Sequence, residues 1–132
     1  MAVVDASVVV EFLGGDECTP TLDGRLEAEE HILWAPHLID AEVGHALRRK
    51  VRLGQMDAET AAEALWEIND IPLRRVEHEN LLHISWDLRD NFTFYDGLYV
   101  ALALMLGEPL LTFDARLARS GLDVPVEVLG QA

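Results

Sequence analysis

The sequence predicts an α/β protein with a mainly parallel central sheet that is covered by helices on both faces. Short apolar segments of strand length alternate along the chain with longer segments in which apolar residues recur at helical spacing. Such an alternation builds strand–helix–strand units, and these units produce parallel sheets whose two faces are both buried. The chain has 132 residues, half of them hydrophobic, and no internal repeat or linker-like tract divides it. We therefore predict a single domain over residues 1–132.

The amino-terminal elements alternate between strand and helix. Residues 2–5 have the composition of a short buried strand, and a helix over residues 7–13 follows. Its three consecutive valines are β-branched and lower its helix propensity, and the glycine pair at 14–15 ends it. A helix over residues 20–30 and a strand over residues 32–35 are predicted next.

Two helices follow one another in the middle of the chain. Residues 37–52 carry apolar side chains at helical spacing, and Gly54 ends this helix. Asp57 caps a second helix over residues 58–69, because a side-chain oxygen there accepts a hydrogen bond from the free amides of the first turn. A strand at residues 71–76 comes after the two helices.

The most apolar helix of the chain lies in its carboxyl-terminal third. It spans residues 94–106, and it ends there because Gly107 and Pro109 do not continue a helix. The other elements predicted in this part are a helix over residues 79–89, a buried strand over residues 110–113, a short helix over residues 115–119 and a last strand over residues 126–129.

Four acidic residues stand at the boundaries of these apolar elements. Asp5 closes the first strand, Glu42 lies in the second turn of a helix, Asp96 lies in the first turn of the apolar helix, and Asp114 follows a buried strand. Because ligands in open α/β sheets bind beyond the carboxyl ends of the strands, we expect these carboxylates to converge at one edge of the sheet. Burying charges costs free energy unless they are paired or bind a metal, so the set predicts an acidic pocket for a divalent cation.

Mg²⁺ or Mn²⁺ suits such a pocket, because both ions prefer hard oxygen ligands. A divalent cation held by carboxylates can polarise a phosphate and activate water, which is the chemistry of phosphodiester hydrolysis. The sequence therefore favours a metal-dependent hydrolase. The alternative that it leaves open is a non-catalytic acidic α/β interaction module of the same fold.

Each carboxylate, taken alone, also has a structural explanation. Asp96 suits the positive end of a helix dipole, Asp114 suits a helix N-cap, and Asp5 suits a turn. Glu42 is harder to explain in this way, because its neighbours in the helix are apolar. Asp40, in the first turn of the same helix, is a weaker candidate that the dipole alone explains. The joint pattern outweighs the separate explanations.

The formal net charge of −14 argues against broad nucleic-acid binding, which depends on Lys and Arg neutralising phosphates. Contacts to a nucleic acid would have to come from local cations. The first candidates form a basic cluster that follows Glu42 on the same helix, although cations also suit a helix C-terminus for structural reasons. Arg116, beside Asp114, is the next candidate. The basic cluster consists of Arg48, Arg49, Lys50 and Arg52.

Other features exclude several classes of protein. Cys18 is the only cysteine, which excludes an intrachain disulfide and a zinc site with two cysteines. The amino terminus lacks the basic region of a signal peptide, and the longest apolar run, residues 98–106, is shorter than the roughly 20 residues of a membrane span. We therefore expect a cytoplasmic protein with no membrane partner. The tryptophans, which we interpret as core or interface anchors, are Trp34, Trp66 and Trp86.

Four motifs occur in a fixed order across nearly the whole chain: Val3-Val4-Asp5-Ala6-Ser7-Val8-Val9-Val10, Pro36-His37-Leu38-Ile39-Asp40-Ala41-Glu42-Val43, Tyr95-Asp96-Gly97-Leu98-Tyr99-Val100-Ala101-Leu102-Ala103 and Leu110-Leu111-Thr112-Phe113-Asp114-Ala115-Arg116-Leu117. With this ordered set the chain resembles the PIN-domain ribonucleases and, among them, the VapC-type toxins of toxin–antitoxin pairs. The resemblance implies a three-layer α/β/α sandwich. It also implies a Mg²⁺- or Mn²⁺-dependent endoribonuclease that hydrolyses structured RNA.

The resemblance further implies roles for individual residues. His45 stands where many relatives carry asparagine, three residues after the glutamate, and is the one departure from the family pattern. Hydroxyls that would orient the metal ligands are those of Ser7 and Thr112. The carboxylates that would bind the metal and carry catalysis are those of Asp5, Glu42, Asp96 and Asp114.

The partners that the resemblance implies are an RNA substrate, a cognate antitoxin and a second copy of the chain in a homodimer. An arginine of the antitoxin could enter the acidic pocket and fork across two carboxylates. The helices at residues 7–13 and 27–30, with Phe12, Leu13 and Leu26, could form a groove for an amphipathic helix of the antitoxin, although Leu13 suits the core equally well. The homodimer face would lie on the apolar helix and on the tryptophan-bearing helices.

Overall fold

A computed structural model of the chain, which describes residues 1–14, 24–25 and 32–130, contains a five-stranded sheet. Its strands are β1 (Ala2–Val4), β2 (Leu33–Pro36), β3 (Leu73–Val76), β4 (Leu110–Thr112) and β5 (Val126–Val128). The strand order is β3-β2-β1-β4-β5, and every neighbouring pair is parallel. The predicted parallel α/β architecture is therefore confirmed.

Helices connect these strands and pack on the sheet. The apolar helix contacts the three central strands, whereas the first helix contacts β4 and the helix that follows β2. None of the helices in the described part is both long and apolar enough to cross a lipid bilayer. The helices are α1 (Ala6–Gly14), α2 (Leu38–Arg52), α3 (Ala58–Glu67), α4 (Leu82–Asp87) and α5 (Phe94–Leu106), with 3₁₀ turns at Ile68–Asp70 and Ala115–Arg119.

The direction of the strand order reverses beside β1. The chain adds β2 and β3 on one side of β1 and adds β4 and β5 on its other side. In open α/β sheets the crevice at such a reversal, outside the carboxyl ends of the strands, is where ligands bind. Asp5 directly follows β1, Asp114 lies two residues after β4, and α2 begins close to the end of β2. The topology thus brings the ends of three strands to the same edge of the sheet.

The apolar helix α5 has the predicted limits, and local chemistry sets both of them. The Thr93 side chain accepts a hydrogen bond from the Asp96 amide and caps the first turn. Gly107 ends the helix in the left-handed conformation with φ of 67°, which a residue with a side chain adopts only with strain. All residues from 97 to 103 are buried, so α5 is the central helix of the core.

The middle helices also begin and end as predicted. Asp57 caps α3 by accepting a hydrogen bond from the Thr60 amide at 2.8 Å. Gly54, with φ of 73°, follows the end of α2 in the left-handed conformation. The predicted helix over residues 58–69 is α-helical to residue 67 and continues as a 3₁₀ turn.

Two predicted elements are shorter in the structure. The strand at 71–76 begins only at Leu73, because Pro72 has no amide hydrogen with which to join the ladder. The helix at 79–89 is limited to the residues of α4. Its predicted first turn forms a separate turn instead. In that turn the His78 carbonyl accepts hydrogen bonds from the amides of Leu81 and Leu82.

The predicted helix over residues 20–30 lies outside the described residues, apart from Gly24 and Arg25, which are helical. The proposed groove residue Leu26 and the segment 27–30 also lie outside them. The part of that groove that the structure does describe is on α1, where Phe12 is exposed and Leu13 is half-buried against the core.

Two of the three tryptophans are not core residues. Trp66 is 75% exposed and Trp86 is 57% exposed, so interpreting them as core anchors was wrong. On α3 the buried positions are taken by Ala61 and Ala64, and Trp66 follows two residues later on the opposite side of the helix. Trp34 is half-buried and packs against the core. An interface role for the exposed pair stays a prediction.

Candidate active site

Asp5 is the most deeply buried of the four predicted carboxylates, with 9% of its surface exposed. It follows β1, and its carboxylate accepts hydrogen bonds from the hydroxyls of Ser7 and Thr112, each at 2.5 Å, and from the Val8 amide at 3.2 Å. Burial raises the pKa of Asp5, and the hydrogen bonds offset this rise only in part. The carboxylate is therefore held in a fixed orientation at a cost in charge burial.

The same two hydroxyls join the ends of β1 and β4. The Ser7 hydroxyl accepts a hydrogen bond from the Phe113 amide at 2.9 Å, and the Thr112 hydroxyl accepts one from the Asp114 amide at 2.9 Å. Each hydroxyl thus donates to Asp5 and accepts from the backbone after β4, so neither has an unused donor. This arrangement fixes Asp5 relative to the segment that carries Asp114.

Glu42 projects from the second turn of α2 and is half-buried. Its pKa is raised, first by burial and then by the negative charges of Asp96 and Asp5, whereas interaction with Tyr99 lowers it. Tyr99 is itself buried on α5, and burial and the charge of Glu42 raise the pKa of its phenol. The Tyr99 hydroxyl makes no hydrogen bond of normal geometry. Glu42 is therefore near two other carboxylates and one neutral hydroxyl.

Asp96 and Asp114 form the other part of the pocket. Burial raises the pKa of Asp96, and the charge of Asp114 raises it further. Asp114 differs, because the Arg116 guanidinium holds its pKa below the usual range. Arg116 donates from its amide and from its side chain to the Asp114 carboxylate, at distances from 2.6 to 3.2 Å. Asp114 also caps the 3₁₀ turn that follows it, as its structural explanation predicted.

The four carboxylates are linked pairwise, because the charge of one raises the pKa of the next. Glu42 experiences Asp5 and Asp96, and Asp96 experiences Asp114. Among the residues that the structure describes, no three acidic, histidine or cysteine side chains are arranged as a ready-made metal cage.

The chemistry of the donor set nevertheless fits a hard divalent cation. All the side-chain donors are oxygens, and Mg²⁺ usually binds through one or two carboxylates, with water and substrate phosphate completing its coordination. Burial and mutual repulsion, which raise the pKa values of Asp5, Glu42 and Asp96, are the costs that a divalent cation offsets. The chemistry of these residues therefore fits a hard divalent cation, which would relieve the repulsion between them.

The cationic candidates lie in two different places. Arg116 is at the pocket, paired with Asp114, and its side chain is 82% exposed. The basic cluster lies six to ten residues beyond Glu42 on α2, which corresponds to about 9 to 15 Å along the helix axis. Because α2 returns from the carboxyl edge of the sheet, the cluster lies away from the pocket.

The structure gives two residues near the pocket roles that the sequence analysis did not assign to them. Asp40, the weaker acidic candidate, forms an ion pair with Arg75 through two hydrogen bonds of 2.7 Å and is thereby explained as structural. Tyr99 is a buried residue of the apolar helix to which the sequence assigns no role at the site. Its position three residues after Asp96 is the one available signal, because residues at that spacing lie on the same side of a helix.

The chain is similar to known proteins in both sequence and fold. The family model described as "PIN domain" matches residues 2–121. Ribonuclease VapC1 of Mycobacterium tuberculosis is 49% identical over 118 residues, which cover 88% of this chain and 87% of that protein. The structure of VapBC2 from Rickettsia felis bound to a promoter DNA fragment shares the fold, with a TM-score of 0.72 and 12% identity over 98% of each chain. The sarcin–ricin loop cleaving toxin VapC20 of M. tuberculosis also shares it, with a TM-score of 0.66 and 19% identity over 92% of this chain and 96% of that one.

The chain belongs to the PIN-domain family and, within it, to the VapC-type ribonucleases. It is a toxin-type endoribonuclease, and nucleases of this kind generally depend on a divalent metal. The three-layer fold implied by the resemblance is confirmed. The alternative of a non-catalytic interaction module is not supported, because the relative at 49% identity is a ribonuclease.

Proposed function

We propose that Asp5, Glu42, Asp96 and Asp114 form the metal centre with which this ribonuclease hydrolyses RNA. The observation that supports the proposal is pairwise: the charges of Asp5 and Asp96 act on Glu42, and the charge of Asp114 acts on Asp96. Burial raises the pKa of Asp5, Glu42 and Asp96 beside the reversal point of the sheet. A fold retains such a set at a cost in stability unless a cation offsets the repulsion. We propose Mg²⁺ or Mn²⁺ as the cofactor, since both suit an all-oxygen site.

The residues of the pocket would hold and orient the reacting groups. A bound divalent cation supplies activation of the phosphate and of a water molecule. Ser7 and Thr112 act as supporting residues, because their hydroxyls fix Asp5 in one orientation. Asp96 is oriented by the capped first turn of α5 and Glu42 by α2, so secondary structure positions these two carboxylates. The products would carry 5′-phosphate and 3′-hydroxyl ends, as in the family.

The substrate that we propose is a structured RNA. The relative VapC20 is described as a toxin that cleaves the sarcin–ricin loop, and this chain shares its fold. With a net charge of −14, the chain would hold RNA through the metal and a few local cations. Arg116 is the first candidate because of its place at the pocket. The basic cluster of Arg48, Arg49, Lys50 and Arg52 is the second, at a site reached only by a longer RNA.

A nuclease that acts in the cytoplasm of its own cell needs an inhibitor, and we propose a cognate antitoxin as its partner. VapBC2 from R. felis, which shares the fold, was solved as a complex with a promoter DNA fragment. An arginine of the antitoxin would fork across two pocket carboxylates and compete with the metal. A homodimer is proposed as well, with its face on the apolar helix α5 and on the tryptophan-bearing helices α3 and α4, where Trp66 and Trp86 are exposed.

Cleavage of an RNA by the purified chain tests the proposed metal centre. The protein is freed of metal with a chelator, and cleavage of a stem-loop RNA is followed after addition of Mg²⁺ or Mn²⁺. We expect no cleavage without metal and 3′-hydroxyl ends with metal. Asp96→Asn should lower the rate by more than about 100-fold, because it removes a proposed ligand without changing the shape of the side chain.

Asp87→Asn is the matched control, because Asp87 is an exposed carboxylate on α4 and the change removes the same charge. Its cleavage rate should equal that of the parent. If Asp96→Asn, Asp5→Asn and Glu42→Gln all cleave at the parental rate, the proposed metal centre is wrong. Melting temperature measured with chelator and with millimolar Mn²⁺ supplies a second test. A cation at 100 times its dissociation constant should stabilise the fold by about 2.7 kcal/mol.

A further inference from the structure

The Tyr99 hydroxyl has an unusual environment. Tyr99 is 1% exposed, and its hydroxyl is one of two buried side-chain oxygens in the described part of the chain that have no hydrogen-bond partner, the other being on Glu11. The large majority of buried side-chain polar atoms in proteins are hydrogen-bonded, since an unpaired one loses its contact with water without compensation. The buried, unpaired hydroxyl of Tyr99 is therefore unusual and needs a physical explanation.

The surroundings of this hydroxyl are acidic. Tyr99 lies on α5, three residues after Asp96, and the carboxylate that affects it most is Glu42, followed by Asp5 and Asp96. Carboxylates are acceptors only, so the pocket needs donors. The hydroxyls of Ser7 and Thr112 already donate to Asp5. Tyr99 is thus a donor that remains unused beside a carboxylate whose orientation no described hydroxyl yet fixes.

A phenol suits this position better than a cation does. An arginine at a carboxylate neutralises its charge, as Arg116 does at Asp114, and so competes with a metal for the same oxygen atoms. A neutral hydroxyl orients a carboxylate and leaves its negative charge available.

We propose that Tyr99 is a positioning residue, whose hydroxyl donates a hydrogen bond to the Glu42 carboxylate and holds it in the orientation that binds the metal. This inference rests on the proposed metal centre. A partner that fixes a metal ligand in this way typically contributes a factor of about 10 to 100 in metal affinity or activity.

Tyr99→Phe tests the inference, because it removes the hydroxyl and keeps the ring that fills the core. Mn²⁺ affinity is measured by titration calorimetry, and melting temperature is measured with chelator and with saturating Mn²⁺. We expect the metal-free melting temperature to change little, since the hydroxyl makes no hydrogen bond of normal geometry there. We expect Mn²⁺ affinity to fall by about 10- to 100-fold and the metal-induced rise in melting temperature to shrink. In a Glu42→Gln background the same change should cause no further loss.

Tyr95→Phe is the matched control. Tyr95 lies one turn earlier on the same helix and is 61% exposed, so its hydroxyl should leave Mn²⁺ affinity unchanged. Parental Mn²⁺ affinity in Tyr99→Phe, beside a loss of affinity in Asp96→Asn, would overturn the role of Tyr99 and leave the metal centre intact. An equal fall in melting temperature with and without Mn²⁺, at unchanged affinity, would make Tyr99 a packing residue only. Failure of the parent protein itself to bind Mn²⁺ would reject the metal centre, and this inference with it.

Discussion

Folding shifts the pKa values of the individual carboxylates in the pocket in opposite directions. Burial raises the pKa of Asp5, Glu42 and Asp96, whereas Arg116 lowers that of Asp114. The first three therefore destabilise the folded state when ionised, and Asp114 stabilises it. A pocket with this balance keeps several negative charges close together in the absence of metal, which is the state that a divalent cation would relieve.

The raised pKa of Asp96 makes the effect of Asp96→Asn depend on pH. Asp96 contributes stability below its unfolded pKa of about 3.9, and this contribution is lost as the pH rises through its higher folded pKa. In the presence of chelator, Asp96→Asn should therefore become more stable relative to the parent as the pH rises above about 4. Melting temperatures of both proteins from pH 4 to 8 measure this difference.

Asp87→Asn corrects that series for the general loss of one negative charge, since Asp87 is exposed on α4. A difference between Asp96→Asn and the parent that stays constant over the whole pH range would contradict the burial of Asp96. A difference with the opposite slope would mean that Asp96 has a cationic partner in the metal-free protein.

Packing between α4 and α5 determines where Asp96 sits. A Cβ atom placed on Gly97 would lie 2.5 Å from the Ser85 hydroxyl and 3.4 Å from the Ser85 Cα atom, so the two helices approach each other at a point where only glycine fits. Ser85 is fully buried and donates a hydrogen bond to the Phe94 carbonyl at 2.8 Å. The first turn of α5, and with it the Asp96 carboxylate, is thereby fixed against α4.

Gly97→Ala should destabilise the protein by about 1 to 3 kcal/mol, because the added methyl group overpacks this contact. Denaturant unfolding measures the loss. Ser85→Ala removes the hydroxyl that collides with the new methyl group, so the double variant should lose less than the sum of the two single changes. Losses that simply add would show that the collision does not involve Ser85.

The start of α2, the helix that carries Glu42, depends on a histidine from a different element. The Leu38 amide donates a hydrogen bond to Nε2 of His78 at 3.0 Å, and the His37 side chain adds no capping bond. His78 follows β3, so this bond joins the segment after β3 to the first turn of α2, the helix that follows the neighbouring strand β2. The bond requires an unprotonated Nε2 atom, because a protonated imidazole is a donor only.

His78→Leu should destabilise the protein by about 1 kcal/mol, the usual loss for a helix cap. His78→Gln should recover part of the loss, since its amide oxygen can accept the same bond. His83→Leu is the control, because His83 is exposed on α4 and caps no helix. Denaturant unfolding of the three variants measures the effect. Equal stability of His78→Leu and His83→Leu would contradict the capping role.

At the scale of the whole molecule, the charge distribution separates the pocket from most of the cations. The net charge is −14, and the basic cluster lies toward the far end of α2 from Glu42. Arg116 lies at the pocket and is already paired with Asp114, and the charge of Arg119 also acts on Asp114. An RNA that approaches the pocket would meet Arg116 first and would compete with Asp114 for its guanidinium.

Arg116→Gln should therefore weaken the binding of a stem-loop RNA and lower the slope of its salt dependence by about 1. Binding is measured in an Asp96→Asn background, so that the RNA stays intact. Arg49→Gln, which removes an exposed charge of the basic cluster, should have the smaller effect. The reverse order of effects would move the RNA path to the far end of α2.

Several features could be predicted from the sequence because they depend on neighbouring residues. The limits of α5 follow from Thr93 at one end and Gly107 at the other, and the cap of α3 follows from Asp57. Each of these features is decided within about one helical turn, by a backbone conformation or by one side-chain hydrogen bond. The alternation of strands and helices, which fixes the fold class, is a pattern of the same local kind.

Other features were decided by the tertiary structure, because they join residues that are far apart in the sequence. The Thr112 hydroxyl meets Asp5 across 107 positions, and this bond exists only because β1 and β4 are neighbours in the sheet. The orientation of Trp66 away from the core, the unpaired hydroxyl of Tyr99 and the separation of the basic cluster from the pocket have the same origin. By itself the sequence determined which residues are acidic, which segments are apolar and where the helices end. Strand order and helix packing decided which of those residues face one another, since contacts across a sheet depend on the whole arrangement and not on spacing along the chain.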